Sequence, residues 1–199
     1  MATISTLAKG ASQGFMLALL FLFVAIGNPQ AAPAVQSQQD AKAPSTGAYY
    51  IEFRVAQIGT YGHSYVVYGR LNARGQPAEF RYADLHPIGN YALMALGHIV
   101  PVPATTKWDP DVEKLPVSAS WRHKLTAADY GKLQAAVQRS RANTSPTWNA
   151  VANNCNHYVA GLAKAIGLRT PSDFQVSYTF IPALRDLNDP AKKKQTSAL

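Results

Sequence analysis

The chain contains a single cysteine, Cys155, among its 199 residues. An intramolecular disulfide is therefore excluded, and the thiol is either a small buried side chain or a reactive group. One cysteine and five dispersed histidines also lack the close spacing that metal ligands need. The chain has no glycine-rich phosphate-binding motif either. We therefore expect neither a metal nor another cofactor.

Long hydrophobic runs are also scarce. The apolar run at residues 14–26 has 13 residues, which is short against the ~20 of a membrane-spanning helix and suits the apolar part of a signal peptide. Small residues at 32–34 offer a cleavage site, so we predict a signal peptide over 1–34 and a periplasmic or secreted protein. The alternative is a membrane anchor at residues 14–27, and we expect membrane contact only if this segment is not cleaved. No cysteine lies close behind the run, at residues 27–46, which excludes a lipoprotein anchor.

The rest of the chain divides by composition. Residues 35–47 are polar and predict a flexible linker, residues 48–188 have the apolar content of one globular domain, and residues 189–199 form a basic, disordered tail. The net charge of +8 favours solubility or attraction to an anionic surface such as the cell envelope. The basic residues are scattered and not interleaved with aromatic residues, so we expect no nucleic-acid partner.

Strands are predicted mainly in the first part of the domain. Apolar and polar residues alternate over 49–56, which predicts a half-buried strand, and β-forming residues at 64–68 and 78–82 complete an antiparallel meander. Prolines interrupt 86–116 and favour short strands and ordered loops. A further strand is predicted over 117–122. No repeat or second domain is visible.

Two helices are predicted near the end of the domain. Thr126 has the position of an N-cap for a helix that runs to about Arg141. A second helix begins at Cys155, with Asn153 or Asn154 as its N-cap. Because strands come first and helices last, the sequence predicts an α+β domain.

The predicted position of Cys155 favours reactivity. A thiol attacks only as thiolate, and its ordinary pKa of ~8.5 leaves little thiolate at neutral pH. The first turn of a helix offers unpaired N–H groups and the positive end of the helix dipole, and both stabilise the anion. The same N–H groups can stabilise an oxyanion. Cys155 is therefore a candidate nucleophile.

Five histidines are candidate bases. His157 lies two residues beyond the thiol, about 200° around the helix, so it is expected to face away and to cap, pack or contact water. His86 and His98 lie in the proline-rich stretch, and His123 follows a strand, which favours structural roles. His63 stands at the entrance of a strand after a glycine turn, where its ring can project over a helix N-terminus. It is either the base or an ordinary strand-end histidine.

Two motifs then carry a resemblance to a family. The sequence GHSYVVYG at residues 62–69, followed by NNCNHYV at residues 153–159, resembles the PPPDE peptidases, the desumoylating-isopeptidase-like group with a circularly permuted papain fold. In that family a histidine-bearing strand precedes a helix that opens with Asn-Cys-Asn. The wider superfamily includes NlpC-type cell-wall peptidases and the lecithin:retinol acyltransferase group. The resemblance implies a permuted papain-like domain with an antiparallel sheet first and the nucleophile-bearing helix late.

The resemblance also implies roles for residues. Cys155 would be the nucleophile and His63 its general base, 92 residues earlier. Glu79, on the following strand, is the predicted orienting partner of the His63 ring; Asp84 or Asn72 are alternatives, and a dyad without an orienting residue is compatible with the family.

We therefore expect an exported cysteine hydrolase of the peptidase or amidase type, acting on a peptide or on a cell-envelope amide. Gln57 is a weak candidate for a second oxyanion donor. Two alternatives remain: a thioester-forming enzyme that acts on lipid esters, and a non-catalytic binding or structural domain on the same scaffold. The isopeptidases of the family act on ubiquitin-like tags inside eukaryotic cells, whereas this chain carries an export signal, which leaves the substrate open.

Overall fold

A computed structural model describes residues 48–189 of the protein. The predicted signal peptide over 1–34, the linker over 35–47 and all but the first residue of the predicted tail lie outside the described residues. Within residues 48–189, no helix combines the length and the apolar character needed to cross a membrane.

Antiparallel sheets and four α-helices within residues 48–189 confirm the α+β class. The strands and helices are β1 (Tyr49–Ala56), β2 (His63–Leu71), β3 (Pro77–Ala83), β4 (His86–Pro87), α1 (Tyr91–Leu96), β5 (Val102–Thr105), a 3-10 helix (Pro110–Lys114), β6 (Val117–Leu125), α2 (Ala127–Ala142), β7 (Thr147–Trp148), α3 (Cys155–Ala165) and α4 (Ser177–Asn188).

The larger sheet has four antiparallel strands in the order β3-β2-β1-β6. The pair β1 and β2 forms a hairpin in which Ala56 lies opposite His63. A smaller antiparallel sheet has the order β4-β5-β7. Its short strands lie in the proline-rich stretch and just before α3, so this sheet connects the two regions that flank the site described below.

The main core lies between one face of the larger sheet and helices α2, α3 and α4. Alternate β1 residues supply Ile51, Phe53 and Val55, and the helices supply side chains such as Leu133 and Phe180, all of them buried. This apolar face holds α3 against β2. The start of α3 is thereby fixed at one end of the sheet.

The second face of β1 and β2 is also covered, although the alternating pattern predicts a half-buried strand. Tyr50 and Tyr65 are buried in a second cluster, against which Trp108 and Val112 pack. The segment that includes the 3-10 helix therefore covers the face that was expected to contact water. Glu52 on the same face is buried as well and is paired with Arg54 at 2.6 Å.

Two helices have no counterpart among the predicted elements. The first, α1, lies inside the proline-rich stretch, where Asn90 caps it by accepting the N–H of Leu93 at 3.1 Å. The second, α4, contains Pro182, a residue that normally interrupts a helix. The helix nevertheless continues through this proline, and Phe180, Ile181 and other apolar residues on either side of it are buried against the sheet.

Candidate active site

The site forms where the first residue of β2 meets the first residue of α3. His63 begins β2 and Cys155 begins α3. Gly62 precedes His63 with φ +69°, and an added Cβ at this position would lie 2.9 Å from Cγ1 of Val55. Glycine thus permits both the left-handed turn and the close packing that direct the chain into β2.

The side chains of Cys155 and His63 interact, and each stabilises the charged form of the other. Burial alone would raise the pKa of the thiol and lower that of the imidazole. The interaction with His63 outweighs burial and lowers the pKa of Cys155 to about 6. For His63, the hydrogen bond to Asp84 is the largest effect that opposes burial, and together with the interaction with Cys155 it raises the pKa to about 10. The pair therefore favours a thiolate and an imidazolium at neutral pH.

Asp84 is the carboxylate that holds the His63 ring. Its Oδ2 atom lies 3.1 Å from Nε2 of His63 and 2.7 Å from Nδ1 of His86, and its side chain is fully buried. Burial would raise the pKa of Asp84, but the hydrogen bonds to the two histidines lower it. Because Nε2 of His63 faces the carboxylate, Nδ1 is the nitrogen left for the thiol. The result is a continuous chain of contacts from Cys155 through His63 and Asp84 to His86.

Asn154 forms the N-cap of α3, as one of the two predicted candidates. Its Oδ1 atom accepts the backbone N–H groups of Asn156 at 2.9 Å and His157 at 3.2 Å. The His157 ring in turn faces the Asn154 N–H, which completes a reciprocal capping box. His157 is thus used for capping, and Nε2 of its ring lies 3.8 Å from Oδ2 of Asp173. This arrangement agrees with the expectation that His157 faces away from the thiol.

Asn156 locks the start of α3 to its neighbours. Its Oδ1 atom accepts the hydroxyls of Ser64 at 2.8 Å and Ser177 at 3.0 Å, and its Nδ2 atom donates to the Gln175 carbonyl at 2.6 Å. These bonds join α3 to β2 and to the start of α4. Ser177 Oγ also lies 3.6 Å from Sγ of Cys155. The two asparagines that flank the cysteine therefore have separate structural tasks: one caps the helix and the other braces it.

Glu79 is not brought to the site. It lies on β3 opposite Arg70, seven positions along β2 from His63, which corresponds to roughly 23 Å at about 3.3 Å per residue. Asp84 follows the end of β3, and because β3 runs antiparallel to β2, that end lies beside the start of β2. Asp84, one of the two alternatives predicted from the sequence, thus has the position expected of Glu79.

The remaining predicted candidates lie elsewhere. Asn72 stands at the opposite end of β2, where its Oδ1 atom accepts backbone N–H groups of the β2–β3 turn. Gln57 follows β1 and is exposed, and its backbone N–H donates to the Pro116 carbonyl. His98 is exposed, with Nδ1 3.1 Å from the Met94 carbonyl.

His86 is the residue that sequence reasoning missed. Its position before a proline in an irregular stretch suggested a structural role. The pattern Asp84-Leu85-His86 at the end of β3 is the signal that was present, since residues two apart on an extended chain share a face. Donor atoms of His63, Asp84 and His86 lie within 4.8 Å of one another, the only such group in residues 48–189 that a metal ion could share. The rings of His63 and His86 are both hydrogen-bonded to Oδ2 of Asp84, and these two bonds are enough to explain why the three side chains lie together.

No protein-family model, curated protein or solved structure matches the chain. The class of the protein therefore rests on its fold and on the geometry of its site. It is an α+β domain in which the start of a strand and the start of a helix assemble a thiol, an imidazole and a buried carboxylate.

Proposed function

We propose that the protein is a cysteine hydrolase of the peptidase or amidase type. The observation that carries this proposal is the Cys155 thiol at the first position of α3, whose pKa is lowered by interaction with a His63 ring that the buried Asp84 carboxylate holds at 3.1 Å. A nucleophile, a base and an orienting group in this sequence of contacts are the parts that covalent acyl transfer requires.

The reaction would begin with the thiolate of Cys155. Its sulfur forms a bond to the amide carbonyl carbon, and the electron pair of the C=O bond moves to oxygen. The N–H of Cys155, at the helix start, donates to that oxyanion. His63 gives its Nδ1 proton to the leaving nitrogen, the C–N bond breaks, and the amine departs from a thioester.

Hydrolysis of the thioester would use the same groups. Neutral His63 removes a proton from water, and the hydroxide adds to the thioester carbonyl. The carboxylic acid leaves as the C–S bond breaks, and the thiolate and imidazolium are restored. Asp84 keeps the His63 ring oriented and stabilises its positive charge throughout, without itself accepting the proton.

The permuted papain-like fold forms part of this proposal. Its support is the order of the chain, in which the histidine-bearing strand precedes the cysteine-bearing helix, together with the two motifs that resemble the PPPDE peptidases. The predicted signal peptide supports an exported enzyme with a peptide or cell-envelope amide as substrate.

Alkylation of Cys155 by iodoacetamide, followed by mass spectrometry from pH 4 to about 10, tests the proposal. We expect the rate to reach half its plateau near pH 6, the lowered pKa of the thiol. Cys155→Ser abolishes labelling. His63→Ala moves the midpoint above pH 8 because burial then acts on the thiol without the imidazolium. The matched control His98→Ala, which changes an exposed histidine, leaves the midpoint unchanged. A wild-type midpoint near ~8.5, the ordinary pKa of a cysteine thiol, contradicts the proposal.

A further inference from the structure

Apolar side chains surround the start of α3 on four separate loops. Ile58 and Tyr61 lie between β1 and β2, Ile99 follows α1, Val151 precedes α3, and Phe174 lies between α3 and α4. Their exposed fractions are 50, 59, 80, 53 and 74%. We call these five residues the apolar rim. Apolar residues exposed singly are common on protein surfaces, but a group of them that lies together marks a binding surface.

Contacts tie the first two of these loops to the thiol. The Tyr61 carbonyl accepts the backbone N–H of Ser177 at 2.8 Å, and the Ser177 hydroxyl lies 3.6 Å from Sγ of Cys155. The Tyr61 ring is 5.9 Å from the ring of His98, the residue before Ile99. Both loops are thus linked by these contacts to residues beside the site.

The other two loops are fixed to the same region. The Gly97 carbonyl accepts the N–H of Ala150 at 3.0 Å, which joins the end of α1 to the loop that carries Val151. The Phe174 ring lies 6.1 Å from the ring of His157, and the carbonyl of the next residue, Gln175, accepts Nδ2 of Asn156 at 2.6 Å. The loops that carry the apolar rim therefore meet at the start of α3, the end of the helix that carries Cys155.

This surface is deficient in charge. Residues 55–69, 85–106 and 142–163 contain no Lys, Arg, Asp or Glu, and they carry four of the five rim residues. Helix α1, within the second stretch, has no buried residue, and Tyr91 on it is 85% exposed. The chain as a whole nevertheless has a net charge of +8. Its charges are thus carried outside these segments.

We propose that the apolar rim inserts into the interfacial region of an anionic lipid bilayer and brings the opening of the site to the membrane surface. The five side chains come from four loops and none of them lies in a strand, so they do not form the strand edge that commonly receives a peptide. A fluid apolar phase needs no directional partner, and exposed Tyr and Phe suit its boundary with water. The positive net charge attracts the anionic headgroups.

This inference differs from the expectation that membrane contact depends on an uncleaved N-terminal segment. It also stands apart from the proposed chemistry, because Cys155→Ala is expected to bind vesicles as wild type does. A failure of lipid binding therefore leaves the thiol chemistry untouched, and an unreactive thiol leaves lipid binding untouched.

The position of the rim in the bilayer is measured with a tryptophan placed on it. Full-length Phe174→Trp and its matched control Phe80→Trp are mixed with vesicles of equal parts phosphatidylcholine and phosphatidylglycerol whose acyl chains are brominated. Phe80 is 55% exposed on β3, away from the site. Bromine quenches only indoles that reach the acyl chains. We expect added quenching, relative to the wild type with its three tryptophans, in Phe174→Trp and none in Phe80→Trp.

Binding strength gives an independent reading. Ile99→Ser combined with Phe174→Ser should weaken vesicle partitioning on the order of tenfold or more, since two large apolar side chains are lost. Phe80→Ser should not weaken it. Vesicle binding without quenching of Phe174→Trp, or equal quenching at both positions, overturns the proposal, because the N-terminal segment or charge alone then accounts for binding. Loss of self-association in the double variant with vesicle binding intact assigns the rim to a protein interface and also overturns it.

Discussion

Asp84→Asn is the substitution that best tests how the site is organised. The asparagine has the same shape and can still accept a hydrogen bond, but it lacks the charge that favours a protonated His63. A hydrogen bond to a charged group contributes about 1.5–3 kcal/mol, against about 0.5–1.5 for a neutral pair. The difference of roughly 1.4 kcal/mol corresponds to about one pKa unit. We therefore expect the pKa of His63 to fall from about 10 to about 9.

The titration of His63 is read from the NMR shifts of its ring C–H protons, assigned by their loss in His63→Ala. Glu79→Gln is the matched control, since it makes the same carboxylate-to-amide change on β3 at a position opposite Arg70. A fall of about one unit in Asp84→Asn with no change in Glu79→Gln supports the assignment of Asp84. An unchanged pKa in a folded Asp84→Asn protein, or an equal fall in both variants, refutes the reasoning.

The free energy of unfolding should change with pH as His63 titrates. The folded pKa of His63 lies above its unfolded value of ~6.5, so its proton stabilises the fold fully below pH ~6.5. This contribution is lost as pH rises through about 10. In Asp84→Asn the loss should be complete about one unit earlier. Urea unfolding across this pH range measures the shift, and identical pH dependence in the two proteins contradicts it.

Two further predictions concern the scaffold. Asn154→Ala removes the N-cap of α3 and should lower the free energy of unfolding by about 1 kcal/mol, whereas Asn154→Ser should retain most of it; equal losses in urea unfolding would argue against the cap. Gly69→Ala would place a Cβ 1.8 Å from a backbone oxygen of β3 and should cost about 3 kcal/mol or more, while Gly131→Ala, with open space on α2, should raise stability by about 0.5–1 kcal/mol in thermal unfolding. A tolerated Gly69→Ala would contradict the close approach of β2 and β3.

Local patterns predicted much of the fold because they reflect forces within a few residues. The alternation over 49–56 gave the bounds of β1, and Thr126 capped α2 as expected. The helix α4 was missed because Pro182 opposes a helix locally, while tertiary burial of its apolar face favours one. The covered second face of β1 depends likewise on a distant segment around Trp108. Neither effect has a signature within the element itself.

The candidate site shows the same division. The place of Cys155 at the start of a helix follows from the local Asn-Cys sequence, and the resemblance pointed to His63. The identity of the orienting residue depends instead on the register of β3 against β2. The prediction of Glu79 did not take that register into account. In an antiparallel pair the beginning of one strand lies beside the end of the next, so the residue after β3 reaches His63 and the middle of β3 does not. Asp84 was therefore within reach of a register argument, and His86 with it, because residues two apart on an extended chain share a face.

The energetics of Asp84 bear on the alternative of a non-catalytic domain. Its side chain is fully buried, its Oδ1 atom has no hydrogen-bond partner among residues 48–189, and Oδ2 accepts from two histidines. An unsatisfied buried acceptor costs about 1–3 kcal/mol, which an apolar residue of similar size at this position would avoid. A cysteine present only for packing would need neither a carboxylate nor an imidazole beside it. Functional sites commonly retain groups that lower stability, such as the unsatisfied Asp84 oxygen beside this thiol-imidazole pair. The destabilising arrangement therefore favours the proposed chemistry over a purely structural Cys155.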